Sequence, residues 1–200
     1  MTAAASPRTM PGRPVATTHA EIEQAAFRLF DERGFEKTTL DALAAEVGVG
    51  RRTLFRYYNS KNDIPWGEFG ASLDAFRGIL ASMPLDIPLW EAIHRGVLAF
   101  NDFDADTTRL HRQRMALILT TPALQAHSVH QYAEWRRVIS DYVAARLDLA
   151  PDDMLPRVVG HVSLALAISA YEQWLADETA PLLGLVDRAM GGLRQYLNEN

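Results

Sequence analysis

Apolar residues recur along this 200-residue chain with the period of helices, and no stretch shows the strict alternation of a half-buried strand. Over residues 39 to 48 the apolar positions are Leu40, Leu43, Ala44 and Val47, spaced i, i+3, i+4 and i+7, so one narrow stripe meets a core. Thr39 is placed to cap this helix. Gly48 is placed to end it, because glycine tolerates the left-handed backbone of a helix C-terminus. Val49 can plug the corner, and Leu54 and Tyr58, four apart, return to the same core. An earlier helix is predicted over about residues 18 to 33, with Ile22, Ala26, Leu29 and Phe30 buried and Gly34 as its stop. A fourth starts near Asn62, takes Pro65 in its first turn, where a missing N–H is harmless, and runs to about Ala81. The run MPLDIP then breaks the chain. Further helices are expected at about 88 to 103, 107 to 120, 122 to 148, 152 to 176 and 181 to 197. The pattern predicts an all-α protein of about nine helices without internal repeats.

Charge changes the picture at one place. From Val47 through Asn62 there is no acid, while Arg51, Arg52, Arg56 and Lys61 supply four positive charges around Thr53, Tyr57 and Asn59. Phosphates attract such a surface, and arginine can fork onto a guanine edge. The net charge of −5 is an apparent objection. It dissolves by region: residues 1 to 64 hold nine Lys or Arg against eight Asp or Glu, and residues 65 to 200 hold eleven against seventeen. Local field, rather than the whole-chain sum, decides where a polyanion docks. A short helix, a glycine-bracketed turn and a second, basic helix are the layout of a DNA-reading helix-turn-helix.

Residues 18 to 64 resemble the N-terminal domain of the TetR family of transcriptional regulators, through IEQAAFRLFDERGFEKTTL, LAAEVGVGRRTLFRYY and SKNDI in the family's order. The resemblance implies that Thr39 contacts a phosphate at the start of helix two, where the helix N-terminus also favours an anion. It implies that Arg51, Arg52 and Thr53 open the recognition helix in the major groove, that Arg56 assists, and that Tyr57 and Lys61 clamp the backbone. Two positions depart from the family pattern. Phe55 stands where a phosphate-binding tyrosine is frequent, and Gly50 replaces a common serine cap. Phe55 is therefore read as packing or touching a thymine methyl. Arg8 and Arg13, in a flexible arm over residues 1 to 14, are expected to reach an adjacent minor groove. The stretches RPVATTHAEIEQAAFRLF, SKNDIPWGEF, QAHSV and HVSLALAISAYEQWL are further similar to the TetR-type regulators associated with mycofactocin biosynthesis in actinobacteria.

The remaining residues, 63 to 200 beside a DNA-binding domain at 15 to 62, read as an effector-binding and dimerisation domain. Residues 160 to 175 mix small and large apolar residues with almost no charge, and helix nine puts Leu182, Leu185, Val186, Ala189 and Leu193 on one stripe beside Gly191 and Gly192. A monomer core could absorb both. The alternative is a four-helix interface of helices eight and nine from two subunits, as in relatives of this family. A two-fold pair would read a palindrome with recognition helices roughly 34–36 Å apart. Helices four to eight carry Trp66, Phe69, Leu73, Trp90, Ile93 and Val97, then Phe100, Met115, Leu119, Tyr132 and Trp135. Most are core by packing alone. The family's effector cavity makes them candidate walls for a small hydrophobic ligand, with His161, and His94 beside it, as polar points. Arg109, His111, Arg112 and Arg114 are either a solvated surface or the site of an anionic head group such as that of a fatty acyl-CoA.

Other chemistry finds little support. The chain has no cysteine, which excludes disulfides and thiol catalysis and fits a cytoplasmic setting. No uninterrupted apolar run approaches a membrane span. His127 and His130 lack a third ligand, so no metal is expected, nor any cofactor beyond the effector. An enzyme would need an activated nucleophile, a metal set or convergent acids, and no such motif is present. A helical structural adaptor without DNA binding would explain the C-terminal helices and leave the basic helix unexplained.

Overall fold

The computed structural model describes residues 17–198, and Arg8 and Arg13 lie outside them. Among the described residues there are nine α-helices, one 3₁₀ segment and no strand: α1 (His19–Arg33), α2 (Leu40–Val47), α3 (Arg51–Leu54), the 3₁₀ segment (Lys61–Trp66), α4 (Phe69–Ala81), α5 (Leu89–Phe100), α6 (Ala105–Thr120), α7 (Pro122–Leu147), α8 (Met154–Ala176) and α9 (Leu182–Asn198). The chain divides into two compact units, with the break after Ile64.

In the N-terminal unit the ends of the helices follow from single residues. Thr18 opens α1 with a capping box, its hydroxyl accepting from the Glu21 N–H while the Glu21 carboxylate accepts from the Thr18 N–H. Thr39 caps α2, its hydroxyl accepting from the Ala42 N–H at 3.1 Å, and Gly48 closes it at φ 74°. Ile22, Ala26, Leu29, Phe30, Leu43, Leu54 and Tyr58 are all buried, so the stripes read from spacing are the ones that pack. The basic helix is shorter than expected. Only Arg51–Leu54 is α-helical, after which Arg56 and Tyr57 donate to carbonyls three residues back and the turn tightens.

The fourth helix also begins later than expected. Residues Lys61–Trp66 form a separate 3₁₀ segment, Gly67 takes φ 55°, and α4 starts only at Phe69. Pro65 disfavours helical backbone at the residue before it, and the left-handed glycine two positions later ends the segment. Lys61 and Phe69 therefore do not share one helix.

The C-terminal unit is a bundle of α4 to α9 around Phe76, Val97, Ile118, Ile139, Val143 and Val186, each at most 1% exposed. Helices α7 and α8 approach closely at Gly160, where an added Cβ would lie 2.8 Å from both the Arg136 carbonyl oxygen and Ser140 Oγ. The Ser140 hydroxyl donates to the Pro156 carbonyl across the same seam. Although Arg157, His161 and Glu172 interrupt its apolar run, α8 is long and apolar enough by length and composition to cross a membrane. It packs against α7 and α9, burying Ser163, Leu164, Ala167, Ala170 and Trp174. The stripe of α9 is used within the chain, for Leu182, Leu185 and Val186 belong to the bundle core.

Candidate nucleic-acid interface and effector cavity

The basic turn presents Arg51, Arg52, Phe55, Arg56 and Asn59 at the surface, with Thr53 half-buried. Among the described residues no acid pairs with Arg52 or Arg56, so both guanidiniums remain available to an anion. Arg51 is engaged, 3.3 Å from the Asp41 carboxylate and 5.5 Å from the centre of the Phe55 ring. Both partners of that ion pair are more than half exposed, so a phosphate can compete for the arginine at little cost. Thr39 is exposed, and because its oxygen accepts from Ala42 its hydroxyl proton stays free to donate.

Two residues expected to clamp the DNA backbone are instead engaged inside the N-terminal unit. The Tyr57 hydroxyl donates to the Thr17 carbonyl, and its ring stands edge-on to His19. The Lys61 ammonium donates to the carbonyls of Phe35 at 2.7 Å, Thr38 at 3.0 Å and Glu36 at 3.4 Å, and lies 4.3 Å from the centre of the Phe35 ring. All three of its protons have acceptors. Lys61 thus pins the α1–α2 connection. Sequence spacing could not show this, because the acceptors are backbone atoms more than twenty residues away.

In the C-terminal unit a cavity of about 130 Å³ lies among α4 to α8. Of the residues expected to line it, Trp66, Phe69, Phe100, Met115, Tyr132 and Trp135 do. Leu73, Ile93 and Val97 are packed in the bundle core, and Leu119 lies against that core, none of them reaching the cavity. Trp90 is 42% exposed, with the Arg194 guanidinium 3.5 Å over its ring. His161 is exposed, its Nδ1 2.7 Å from the Arg157 carbonyl, and His94 faces Asp187 at 2.9 Å. These corrections share one cause: aromatic content marks the bundle, while the side of each helix that meets the cavity depends on crossing geometry.

The basic cluster divides by helical period. His111 and Arg114, three apart, line the cavity together with Met115 and Ile118. Arg109 is exposed, and Arg112 stacks 4.3 Å over Trp174 while donating to the Asp177 carbonyl. The four basic residues therefore do not form one head-group site.

Sequence reasoning missed Tyr171 and Asn101. The side-chain amide of Asn101 donates to the Val97 carbonyl at 2.7 Å, which directs its oxygen to Tyr171, whose hydroxyl donates to it. The Tyr171 oxygen must then accept from His111 Nε2, 2.8 Å away, so the neutral ring is fixed as the Nε2–H tautomer. Burial first, and then the charge of Arg114, pushes the pKa of His111 down to about 3. Burial also raises Tyr171 and Tyr132. The titratable lining groups His111, Tyr132 and Tyr171 are therefore uncharged near neutral pH. The spacing of Leu164, Ala167, Ile168 and Tyr171 was the signal available for this side of α8. Asn101, a lone polar residue at a helix end, offered none.

A pH dependence follows. The unfolded chain protonates His111 near its ordinary value of 6.5, whereas the folded protein resists until about 3, so the contribution of neutral His111 is complete above 6.5 and lost as pH falls. Chemical denaturation should show stability falling by up to about 2 kcal/mol between pH 7 and 5 from this group. A His111→Gln variant should lose less over that range. Identical slopes would assign the acid sensitivity elsewhere.

Residues 22–64 match the family of bacterial regulatory proteins, tetR family, and residues 87–198, more than half the chain, match the MftR C-terminal domain. The chain belongs to the TetR family of transcriptional regulators. This TetR-family regulator is 43% identical over 191 residues, 94% of its length and 96% of the relative's, to a Mycobacterium tuberculosis protein named as the mycofactocin biosynthesis transcriptional regulator MftR. It is 29% identical to the HTH-type transcriptional regulator TcmR of Streptomyces glaucescens, covering 92% of this chain and 86% of the relative. The crystal structure of Thermus thermophilus FadR, a TetR-family repressor in complex with lauroyl-CoA, has the same fold at a TM-score of 0.55 and 18% identity, covering 86% and 91% of the two chains. The relatives are regulators of transcription, and regulators of this family bind DNA.

Proposed function

We propose that the protein is a homodimeric repressor that holds a palindromic operator, acts in the cytoplasm on mycofactocin-related genes, and is released by a small hydrophobic effector. The observation that carries the DNA step is the pair of unengaged guanidiniums, Arg52 and Arg56, on the exposed side of a glycine-bracketed helix-turn-helix. Arg51, Thr53 and Thr39 complete the proposed contact surface. The 43% relative supports the choice of target genes. A fatty acyl-CoA is one effector chemistry to test, by analogy with the ligand of Thermus FadR.

Dimerisation through α8 and α9 is supported by what those helices leave uncovered. Met154 is 79% exposed, and Leu155, Val158 and Val162 are exposed on the same helix. On α9, Tyr196 and Leu197 are about two-thirds exposed, and a Cβ at Gly191 or Gly192 would meet nothing within 4 Å. A second copy would cover this apolar surface.

Lys61 and Trp66 stand at the two ends of one 3₁₀ segment, so a ligand that moves Trp66 acts on the chain that Lys61 fixes. Linkage requires the effector to bind free and operator-bound dimer with different affinity, typically by about 1–3 kcal/mol. Equal affinities would remove the effector role. For recognition, Arg52→Ala should reduce the preference for operator over scrambled duplex by about 1–3 kcal/mol in a competition gel-shift. An unchanged preference would take base reading away from Arg52.

A further inference from the structure

The cavity in the C-terminal unit has a size and a hydrogen-bonding demand that together narrow the ligand. Its volume, about 130 Å³, compares with the roughly 150 Å³ of an apolar cavity that binds benzene. Trp135 and Met115, 5% and 7% exposed, are built into the bundle core as well as into the cavity wall, so the walls cannot yield to a long chain without unpacking that core. The rings of Trp66, Phe69 and Tyr132 meet edge-on at 5.0 and 5.6 Å and all three line the cavity, so its wall offers aromatic surface on which a flat ring can pack.

The polar groups along the wall are largely engaged with one another. The His111 Nε2–H is taken by Tyr171, the Tyr171 hydroxyl by Asn101, and the Asn101 amide by Val97. Two groups differ: the indole Nε1–H of Trp66, a residue 94% buried, and the hydroxyl of Tyr132 both line the cavity and have no hydrogen-bond partner among the described residues, and of the two the indole can only donate. A buried donor without an acceptor calls for a partner. No acid among the described residues lines the cavity while Arg114 does, which disfavours a cationic ligand.

We infer that the cavity binds a neutral ligand of single-ring size carrying an acceptor oxygen, of the aryl ketone or aryl ester class, with that oxygen held by the indole N–H of Trp66. The inference rests on the effector reading above for its regulatory meaning, but not for binding itself. It gives Trp66 the part of a specificity residue, since a site that hydrogen-bonds an oxygen discriminates against the analogue that lacks it.

The test uses the full chain and three probes: acetophenone, ethylbenzene, which keeps the ring and two carbons without the oxygen, and lauroyl-CoA. Calorimetry should show acetophenone binding and ethylbenzene binding at least about tenfold more weakly. Trp66→Phe should lower acetophenone affinity about tenfold relative to that of ethylbenzene, so that the preference between the two is lost. Should that variant not fold, the indole N–H resonance of Trp66 in the natural protein should shift with acetophenone and stay in place with ethylbenzene. Equal binding of the two aromatics, an unmoved Trp66 resonance, binding of lauroyl-CoA alone, or binding of no probe would overturn the inference. Operator affinity is read separately. Acetophenone held through Trp66 without operator release keeps the inference and removes the effector role of this ligand class, whereas operator release by lauroyl-CoA with no acetophenone binding keeps the effector role and removes the inference.

Discussion

Lys61→Met is expected to destabilise the N-terminal unit by about 3 kcal/mol while leaving the salt dependence of operator binding unchanged. The ammonium serves three backbone carbonyls, those of Phe35, Glu36 and Thr38, and stands over the Phe35 ring. Methionine keeps the length of the side chain and removes every donor, leaving those carbonyls without their common partner. Hydrogen bonds from a charged donor are worth about 1.5–3 kcal/mol each, and partial exposure of the site keeps the sum near the value of the best one or two. Arginine should not rescue, because a planar fork cannot meet three carbonyls converging on one point. Denaturation of the full chain measures the loss. The salt slope of binding, measured where the variant remains folded, tests the other half. A stable variant whose slope shrinks by about one unit would return Lys61 to the phosphate role that the family resemblance implies.

Phe76→Ala is expected to cost about 3–5 kcal/mol in the C-terminal unit. The ring is fully buried, stacked on Trp135 at 5.4 Å and tilted against Phe100 at 4.6 Å between centroids. Both neighbours are walls of the cavity, so the deletion removes the support behind that wall as well as burying less apolar surface. Phe76→Leu should recover more than half of the loss, because a branched aliphatic chain refills most of the volume. A loss below about 1 kcal/mol for the alanine variant would mean that the aromatic stack is not the anchor of the bundle.

Helix positions were largely legible in the sequence, because caps and stripes are local. Thr18, Thr39, Gly34 and Gly48 set the ends of α1 and α2 by short-range hydrogen bonds and backbone preference, and the buried sides of those helices followed from i, i+3, i+4 spacing. The late start of α4 was less legible, because it depends on Pro65 and Gly67 acting together: proline alone fits a helix's first turn, and the left-handed glycine is what separates the 3₁₀ segment from α4. The exposed cationic side at Arg52 and Arg56 was equally visible, since it depends on the absence of acids nearby in sequence.

What the sequence concealed were long-range acceptors and crossing angles. The hydroxyl of Tyr57 and the ammonium of Lys61 meet carbonyls at Thr17 and Phe35, and nothing in a residue's type announces a backbone partner. In the bundle, six of the expected cavity residues line the space, while Trp90 and His161 are exposed. The division of the basic cluster into His111 and Arg114 inside, with Arg109 and Arg112 outside, could have been read from the helical period. Reading 109 to 114 as one charge cluster hid it.

The measurement that reaches the central claim most directly is the stoichiometry of operator binding by sedimentation, using any inverted repeat found in the intergenic DNA upstream of the protein's own gene. Two protomers per duplex are predicted, with affinity lost when about five base pairs, half a helical turn, are inserted between the half-sites. Binding as a single protomer, tolerance of the insertion, or no preference for that repeat over unrelated DNA would contradict the account.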